Sequence, residues 1–593
     1  MDWIICFFLS LALLIAAAIC VTRSGRFAQH VMRRIRSPIN ILFAGVLLSA
    51  LIIFIPVYVH MPDAHISWIQ AVLLSIHAVL RVFVMDGELA FVLENIGGIP
   101  DWLYSPYFLL SAVLFLLAPL MTLGFVLSFF KDVSARMQLL FSRNMPLCVF
   151  SELNTRSLSL AQDLLRLDSH RRIIFADVFE QNEESSFEMA AAVRKIGAIC
   201  FRDDITLLPL HKHNQKKPMQ LFIMGNDESE NLSQAIQLIE AFRQAENTEL
   251  YVFCKQPESE MLLSQTDFGK MIIHRINVAQ SLILHELNEN GMRLFRQAIE
   301  LPDYKLISVV LIGLDDFGTQ MLHTLPWYCQ MIGYRVHIHV FDADPLAEAK
   351  LRMQCPELLD EAHNDHYEDD GEAQYTIRIH AGVCTQSIEL SEYLDEIEHV
   401  SEVFISQGDD SRNIRLAAVM RTYFERRGIH PHLTAVVGSS EKKASLQDAR
   451  NYANKPFDIE YIADEDSIYT EAVLIRSELE LNALRAHERW GDEASFWRYD
   501  YYRRSSIARA IHIKVKRECG VPGIHLPIEQ RTPEQLDAIR RLEHRRWNAY
   551  MRSEGYIYSG SREKSSRNDL GKMHPDLVTF DMLSPADQRK DDE

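Results

Sequence analysis

The sequence predicts a multi-domain chain: an α-helical transmembrane segment, two tandem α/β doubly wound units, and a C-terminal helical domain. Three observations carry this reading. Most of the first 130 residues are apolar, in runs long enough to span a bilayer. From residue 146, short β-branched runs alternate with helical stretches, and the alternation occurs twice. After residue 466 the pattern becomes helical and mixes aromatics with arginines. The expected boundaries are 1–143, 146–300, 305–466, a helical connector over 467–499, and 500–593.

In the first segment, residues 3–21, 40–59 and 106–130 are long and apolar enough to span. The first run lacks a basic leader, which marks an anchor rather than a cleaved signal. Arg23, Arg26, Arg33, Arg34 and Arg36 follow the first span, and Lys131, Arg136 and Arg143 follow the last. The positive-inside rule puts both groups in the cytoplasm and the N-terminus outside a multi-pass inner (plasma) membrane protein. A fourth apolar stretch, 66–84, would invert that topology if it spanned, so it is expected as a re-entrant or interfacial helix. His77 and Arg81 lie four apart on it and share a face. They suit either a functional site at membrane depth or an interfacial helix with a snorkelling arginine. Asp86 and Glu88 follow, where an oligomeric ring of carboxylates would favour cations; solvated loop carboxylates fit the same residues.

The α/β part reads as strands over 147–153, 172–177, 198–201, 221–225 and 250–254, then 307–313, 336–342, 377–382, 403–407 and 433–438. "NDESENL" follows the fourth strand of the first set and "GDDSRNI" that of the second. Both place acid-acid-Ser-x-Asn at the carboxyl end of a strand, where open α/β sheets bind ligands; the same residues also suit helix caps. Asp227, Glu228 and Asn231, and Asp409, Asp410 and Asn413, resemble the acidic-plus-Asn motif of Trk-type potassium-transport regulators and of the RCK domains of potassium channels. The resemblance implies two Rossmann-like, TrkA-N-like units. The dinucleotide fingerprint is broken, however. The second unit has "GLDDFG", which keeps Gly313 and Gly318 but puts Asp315 where phosphate needs a glycine, and the first has "SELNTR". Asp177 and Asp342 end the second strands, where a ribose could be held, and Arg156 stands at a helix start suited to phosphate. The alternative is a pair of scaffold domains. His363 and His366 stand in an acidic insertion whose spacing fits no defined metal site.

In the last module, Thr532, Pro533 and Gln535 form a helix start of capping-box type. Glu543, His544 and Trp547, then Gly555-Tyr556, then Lys572, His574, Pro575 and Leu577, resemble the signature of the ryanodine-receptor-type repeat, the RyR domain. "YYRRSS", with Arg503 and Arg504, looks like the arginine-serine helix that accompanies it in bacterial forms. The resemblance implies a small all-α fold without catalytic chemistry, linked to nucleotide sensing in stress or antiviral defence. Trp547 and Tyr556 suit stacking on a base, and Arg503, Arg504, Lys572 and His574 suit phosphate. The same aromatics and histidines, His544 among them, equally suit the core of so small a domain.

The formal net charge of −19 argues against nucleic-acid binding. The nine cysteines include no C-x-x-C pair and suit a reducing compartment. The expected function is a membrane-anchored sensor, not an enzyme, whose RCK-like and RyR domains gate an ion-permeation or membrane-disrupting segment. Its expected partners are the membrane, a small nucleotide-like or NAD-derived ligand, and further copies of itself. An anchored scaffold without a pore is the alternative, and an NAD(P)-dependent membrane oxidoreductase is the third reading.

Overall fold

The structure is a computed structural model that describes the chain except residues 1, 23–37, 62–65, 85, 88, 179–183, 215, 256–258, 260–262, 264–268, 360–374, 386–387, 448–450, 453–454, 457, 464, 476–477, 489–490 and 593. Glu88, His363 and His366 therefore lie outside the described residues. The chain forms two compact units. One comprises residues 1–144, 175–180 and 199–213, and the other comprises residues 145–174, 181–198 and 214–593.

The first unit contains helices α1 (Asp2–Thr22), α2 (Pro38–Val59), α3 (Trp68–Phe83), α4 (Leu89–Asn95) and α5 (Asp101–Phe141). Trp3, Phe7, Phe54, Val79 and Tyr107 share its core. α1 and α2 are joined by a reciprocal pair: Ser10 Oγ donates to Ser49 O, and Ser49 Oγ donates to Ser10 O, each at 3.0 Å. Small hydroxyl residues bonded in this way let apolar helices approach with no polar group stranded.

Helix α3 opens on a capping box between Ser67 and Gln70. Its 16 residues span about 24 Å at the helical rise, less than the ~30 Å hydrocarbon thickness of a bilayer. Ala71, Ser75, Val79 and Val82 face inward, whereas Ile69, Leu73, Ile76 and Leu80 are exposed. His77 and Arg81 are exposed as well. Arg81 Nε donates to Asp86 at 3.0 Å, so that carboxylate already has a cationic partner.

Helix α5 departs from the expected span over 106–130 with a separate basic exit segment. It is one helix of 41 residues, about 60 Å long. The apolar run ends near 130, but Ala135, Arg136, Met137, Gln138 and Leu139 are good helix formers, so the helix continues. Its terminal part carries Arg136, which pairs with Asp203 at 3.2 Å. Among the described residues one helical stretch, Asp101–Leu123, is long and apolar enough to cross a membrane; Asp2–Ala17, Phe43–Val59 and Trp68–Phe83 are shorter apolar stretches.

The chain has mixed α/β content with two parallel sheets. Strands β1 (Leu147–Phe150), β2 (Arg172–Phe175), β3 (Ile199–Cys200), β4 (Met219–Ile223), β5 (Thr248–Phe253) and β6 (Ile272–Ile276) lie in the order β3-β2-β1-β4-β5-β6. Strands β7 (Lys305–Ile312), β8 (Tyr334–Asp342), β9 (Tyr375–Ala381), β10 (Glu402–Ile405), β11 (His432–Val436) and β12 (Glu460–Ile462) lie in the order β9-β8-β7-β10-β11-β12. Both follow the 3-2-1-4-5-6 order of a doubly wound sheet. Five strands were expected in each sheet; the structure adds β6 and β12, and a short antiparallel strand, Ile299–Glu300, beside β7. Both β6 and β12 are edge strands, buried on fewer sides and therefore less uniformly apolar, as "IIHRI" shows. In the first sheet, parallel register lines up Phe150, Phe222, Tyr251 and His274 across four strands, with ring centroids 4.7, 4.9 and 4.5 Å apart.

The C-terminal part contains α11 (Glu478–His487), α12 (Glu493–Arg498), α13 (Asp500–Glu518) and α14 (Pro533–Ser553), numbered after α6 (Thr155–Leu167), α7 (Glu228–Phe242), α8 (Val278–Asn290), α9 (Asp316–Tyr328) and α10 (Asp410–Arg426) of the α/β part. Thr532 and Gln535 complete the capping box of α14. α14 packs on α9, with Trp327 edge-on to Tyr550 at 6.1 Å. His512 Nε2 of α13 lies 2.7 Å from Gln330 O.

A buried ionic network ties the segment after α8 to the second sheet. Arg293 reaches Glu286 at 3.2 Å, Glu460 at 2.6 Å and Thr434 at 3.1 Å. Arg293 also lies 3.5 Å from Glu402, and His432 bridges Glu402 at 3.1 Å and Glu460 at 3.3 Å. Burial opposes its charge, but the hydrogen bonds to Glu402 and Glu460 outweigh burial and push the imidazole up to about 9. A folded-state pKa above the unfolded one gives stability that is present below about pH 6.5 and lost as pH rises through about 9. Denaturant unfolding between pH 6 and 10 should show a loss of roughly 2–3 kcal/mol over that window, and His432→Gln should flatten it.

Candidate functional site

The carboxyl ends of the parallel strands are where a doubly wound sheet binds ligands, and both sheets have that position filled by the chain's own side chains. In the second unit, Gly313 follows β7 at φ +93°, and a Cβ there would stand 2.0 Å from Ser406 O. A Cβ on Gly318 would stand 2.1 Å from Gly313 O. Both positions therefore require glycine. The Asp315 carboxylate between them caps α9. Oδ1 accepts from Phe317 N at 3.1 Å, Gly318 N at 3.0 Å and the Ser406 hydroxyl, and Oδ2 accepts from Gly408 N at 2.8 Å. Phe317 N and Gly318 N are the helix-start amides that would receive a pyrophosphate. Asp342 is committed as well, since Oδ2 accepts from Leu314 N and Oδ1 from Asp344 N, each at 2.7 Å. The donor set is occupied by carboxylate, so the turn does not fit a dinucleotide held in the usual way.

The carboxyl edge of the first sheet is closed by other residues. Asn154 caps α6 by accepting from Ser157 N at 2.8 Å, and its Nδ2 donates to Met224 O at 3.2 Å. Glu152 accepts from Asn226 N at 3.3 Å, and burial raises its pKa. Arg156 is exposed on the first turn of α6 and acts electrostatically on Glu152. Asp177 follows β2 at φ +50°, and its backbone N donates to Asp203 O at 3.0 Å.

The two acidic-plus-Asn motifs share one geometry. Asn231 is 3% exposed; its Oδ1 accepts from Gly225 N at 2.9 Å, and its Nδ2 donates to Gly225 O at 3.0 Å and Phe253 O at 3.2 Å. Asn413, 1% exposed, accepts from Gln407 N and donates to Val436 O, both at 2.9 Å. Each asparagine joins the end of the fourth strand to the end of the fifth. Asp227 caps α7 and Asp409 caps α10. Glu228 accepts from Lys255 N at 3.1 Å, and Asp410 accepts from Gly438 N at 2.9 Å, which holds the loop after the fifth strand in both units. This set of bonds explains the recurrence without a ligand.

Of the C-terminal residues singled out in sequence, several form the module's own interior. Glu543 is 2% exposed and lies 2.7 Å from Lys516 Nζ and 2.8 Å from Arg546 Nη2. Burial would raise its pKa, but the charges of Arg546, Lys516 and Arg509 outweigh burial and hold it well below the usual carboxylate range. His544 Nε2 is 2.8 Å from Val578 O, and its ring stacks on Trp547 at 5.7 Å. Trp547 also meets His574 edge-on at 5.0 Å, and burial pushes His574 down to about 4. Tyr556 is buried beside Tyr501 at 6.0 Å. Arg503 is buried and gives its guanidinium to Glu480 at 3.1 Å, Arg275 O at 3.1 Å and Asp500. These arrangements are those of a packed core.

Arg504, Lys572 and Asp342 instead meet in one cleft of about 410 Å³ over the carboxyl edge of the second sheet. The turn Leu314–Asp316, Thr319, His323 and Lys350 form one side; Arg275 at the end of β6 and Asn277 just after it form another; Arg504, Ser553, Glu554 and Lys572 close it. Arg504 pairs with Glu554 at 2.7 Å, Lys572 Nζ donates to Glu554 O at 2.7 Å, and Lys572 holds the left-handed φ of +49°. Lys255 pairs with Asp316 and Lys350 with Asp344. Five cations and five carboxylates line the cleft, so it is polar and electrically balanced. His323 lines it too, and its Nε2 is buried without a hydrogen-bond partner among the described residues. Sequence reasoning missed His323, because a lone histidine on an apolar helix carries no signal. A second cleft, of about 600 Å³, lies beyond β9, where Asp409, Arg412 and Arg415 meet Cys384 and Thr385. Among the described residues no group of three or more His, Cys, Asp or Glu side chains could hold a metal ion.

The Glu543 cluster yields a stability test. Glu543→Gln leaves Lys516 and Arg546 buried without a counter-charge and should destabilise the folded chain by about 3–5 kcal/mol; Trp547→Phe should cost far less. Thermal unfolding of the two variants checks this. No protein-family model and no curated protein matches the chain.

Proposed function

We propose that the chain is a membrane-anchored ligand sensor rather than an enzyme. A small phosphorylated, nucleotide-like molecule binds in the cleft lined by Arg504 and Lys572 on one side and by the turn after β7 on the other. The meeting of these elements in one cleft is the observation that carries the reading. A ligand seated there touches both α/β units and the C-terminal module, which we read as Rossmann-like and RyR-type. It shifts the population between two packings only through its unequal affinity for them. The helical first unit is then the device that responds, in an oligomer whose spans form a pore or disturb the membrane. Helix α5 suits transmission, since one unbroken helix joins the apolar stretch Asp101–Leu123 to the polar residues before β1.

The pairing of Asp86 with Arg81 favours a second reading, an anchored binding module without a pore, because it removes one carboxylate from any cation-selective ring. The oxidoreductase reading is disfavoured by Asp315, whose carboxylate takes the amides a dinucleotide needs.

The test reconstitutes the full chain in liposomes and measures conductance with and without the small-molecule fraction of cell extract. Conductance that rises with the fraction, and is lost in Arg504→Gln while membrane insertion persists, supports the sensor. Ligand-dependent conductance unchanged in Arg504→Gln overturns the cleft's part in it. Flat conductance under every condition selects the anchored module.

A further inference from the structure

The doubly wound fold directs a ligand's phosphate to the turn after the first strand. Here that turn is barred, because Asp315 places a fixed negative charge on the amides of Phe317, Gly318 and Gly408. Phosphate arriving there would meet carboxylate instead of free N–H groups. The opposite wall has complementary chemistry. Lys572 and Arg504 present cationic groups at the cleft. His323, reaching in from α9, has a buried Nε2 that no described residue satisfies, and it lies close enough to Glu554 and Lys572 to feel both charges. A buried ring nitrogen without a partner is a group whose hydrogen bond is completed by something else.

We infer that the cleft takes a phosphorylated small molecule in reversed polarity, with its phosphate on Lys572, Arg504 and His323 and its uncharged end toward the Asp315 turn. The inference rests on the cleft being the ligand site. Glu554 is the contact that phosphate displaces: its carboxylate pairs with Arg504, and its carbonyl accepts from Lys572. Exchanging a resident carboxylate for a phosphate breaks and remakes contacts of the C-terminal module, which gives binding a structural consequence. Asp315 keeps the turn from competing, because its bonds are internal and cap α9.

The experiment titrates the detergent-solubilised full chain with inorganic pyrophosphate, ADP and adenosine, by calorimetry and thermal unfolding. Pyrophosphate and ADP are expected to bind and adenosine to bind far more weakly, which places the affinity in the phosphate; ADP tighter than pyrophosphate marks a nucleotide as the source. Lys572→Gln and His323→Gln should each weaken ADP about tenfold or more, the change expected for one lost hydrogen bond to a charged group, and Lys572→Arg should restore most of it. Asp315→Asn, which keeps a capping side chain, should retain or strengthen binding. If Asp315→Asn abolishes ADP binding while Lys572→Gln and His323→Gln bind normally, the phosphate sits on the turn and the inference fails, although the cleft remains a ligand site. If neither anion binds the unmodified chain, the cleft reading itself fails. Should Lys572→Gln not fold, His323→Gln decides alone.

Discussion

The buried carboxylate of Glu543 is the constraint on which the C-terminal half depends. It draws Lys516 of α13 and Arg546 of α14 into a region from which water is excluded. An uncompensated charge at that depth would be prohibitive, so the two helices have one relative placement in which all three groups are paired. Once α13 and α14 are fixed, His512 is carried to Gln330 and Tyr550 to Trp327, which seats the module on α9. The end of α14 then brings Ser553 and Glu554 to the cleft, where Cys355 Sγ donates to Ser553 O at 3.2 Å. The cleft is thus a consequence of an ion cluster that does not itself line it.

Strand positions were legible because buried parallel strands must be apolar on both faces, and runs such as "ISVVLIG" have few other uses. Strands β6 and β12 were not, because "IIHRI" is interrupted by His274 and Arg275 and β12 is only the three residues Glu460–Ile462. The end of α5 was misread for a related reason: loss of hydropathy marks where an apolar face ends, whereas a helix ends where caps or breakers intervene. Residues 131–141 contain neither Pro nor Gly.

The candidate site was legible by residue type and hidden by direction. Arg503 and Arg504 are neighbours with the same chemistry, yet one is buried against Glu480 and the β6 carbonyl and the other reaches the cleft. On a helix, adjacent residues point about 100° apart, and which of them meets a ligand depends on what packs around the helix. The same limit applies to the acidic-plus-Asn motifs. Their spacing identified a recurring unit, but only the bonds of Asn231 to Gly225 and Phe253, repeated by Asn413, show that recurrence can follow from a backbone requirement.

Asp315 shows how these levels connect. In sequence it is a defect in a glycine turn. In the structure it accepts from three backbone amides and a hydroxyl, and so supplies from within the negative charge that the helix start would otherwise take from a cofactor. A turn completed internally keeps its shape without a ligand, which frees the sheet's carboxyl edge from holding a dinucleotide. The cleft above it is then bounded by side chains from three parts of the chain rather than by one unit alone. A small molecule bound there has contacts to gain from all three, and that is the physical requirement for turning occupancy into a change of packing.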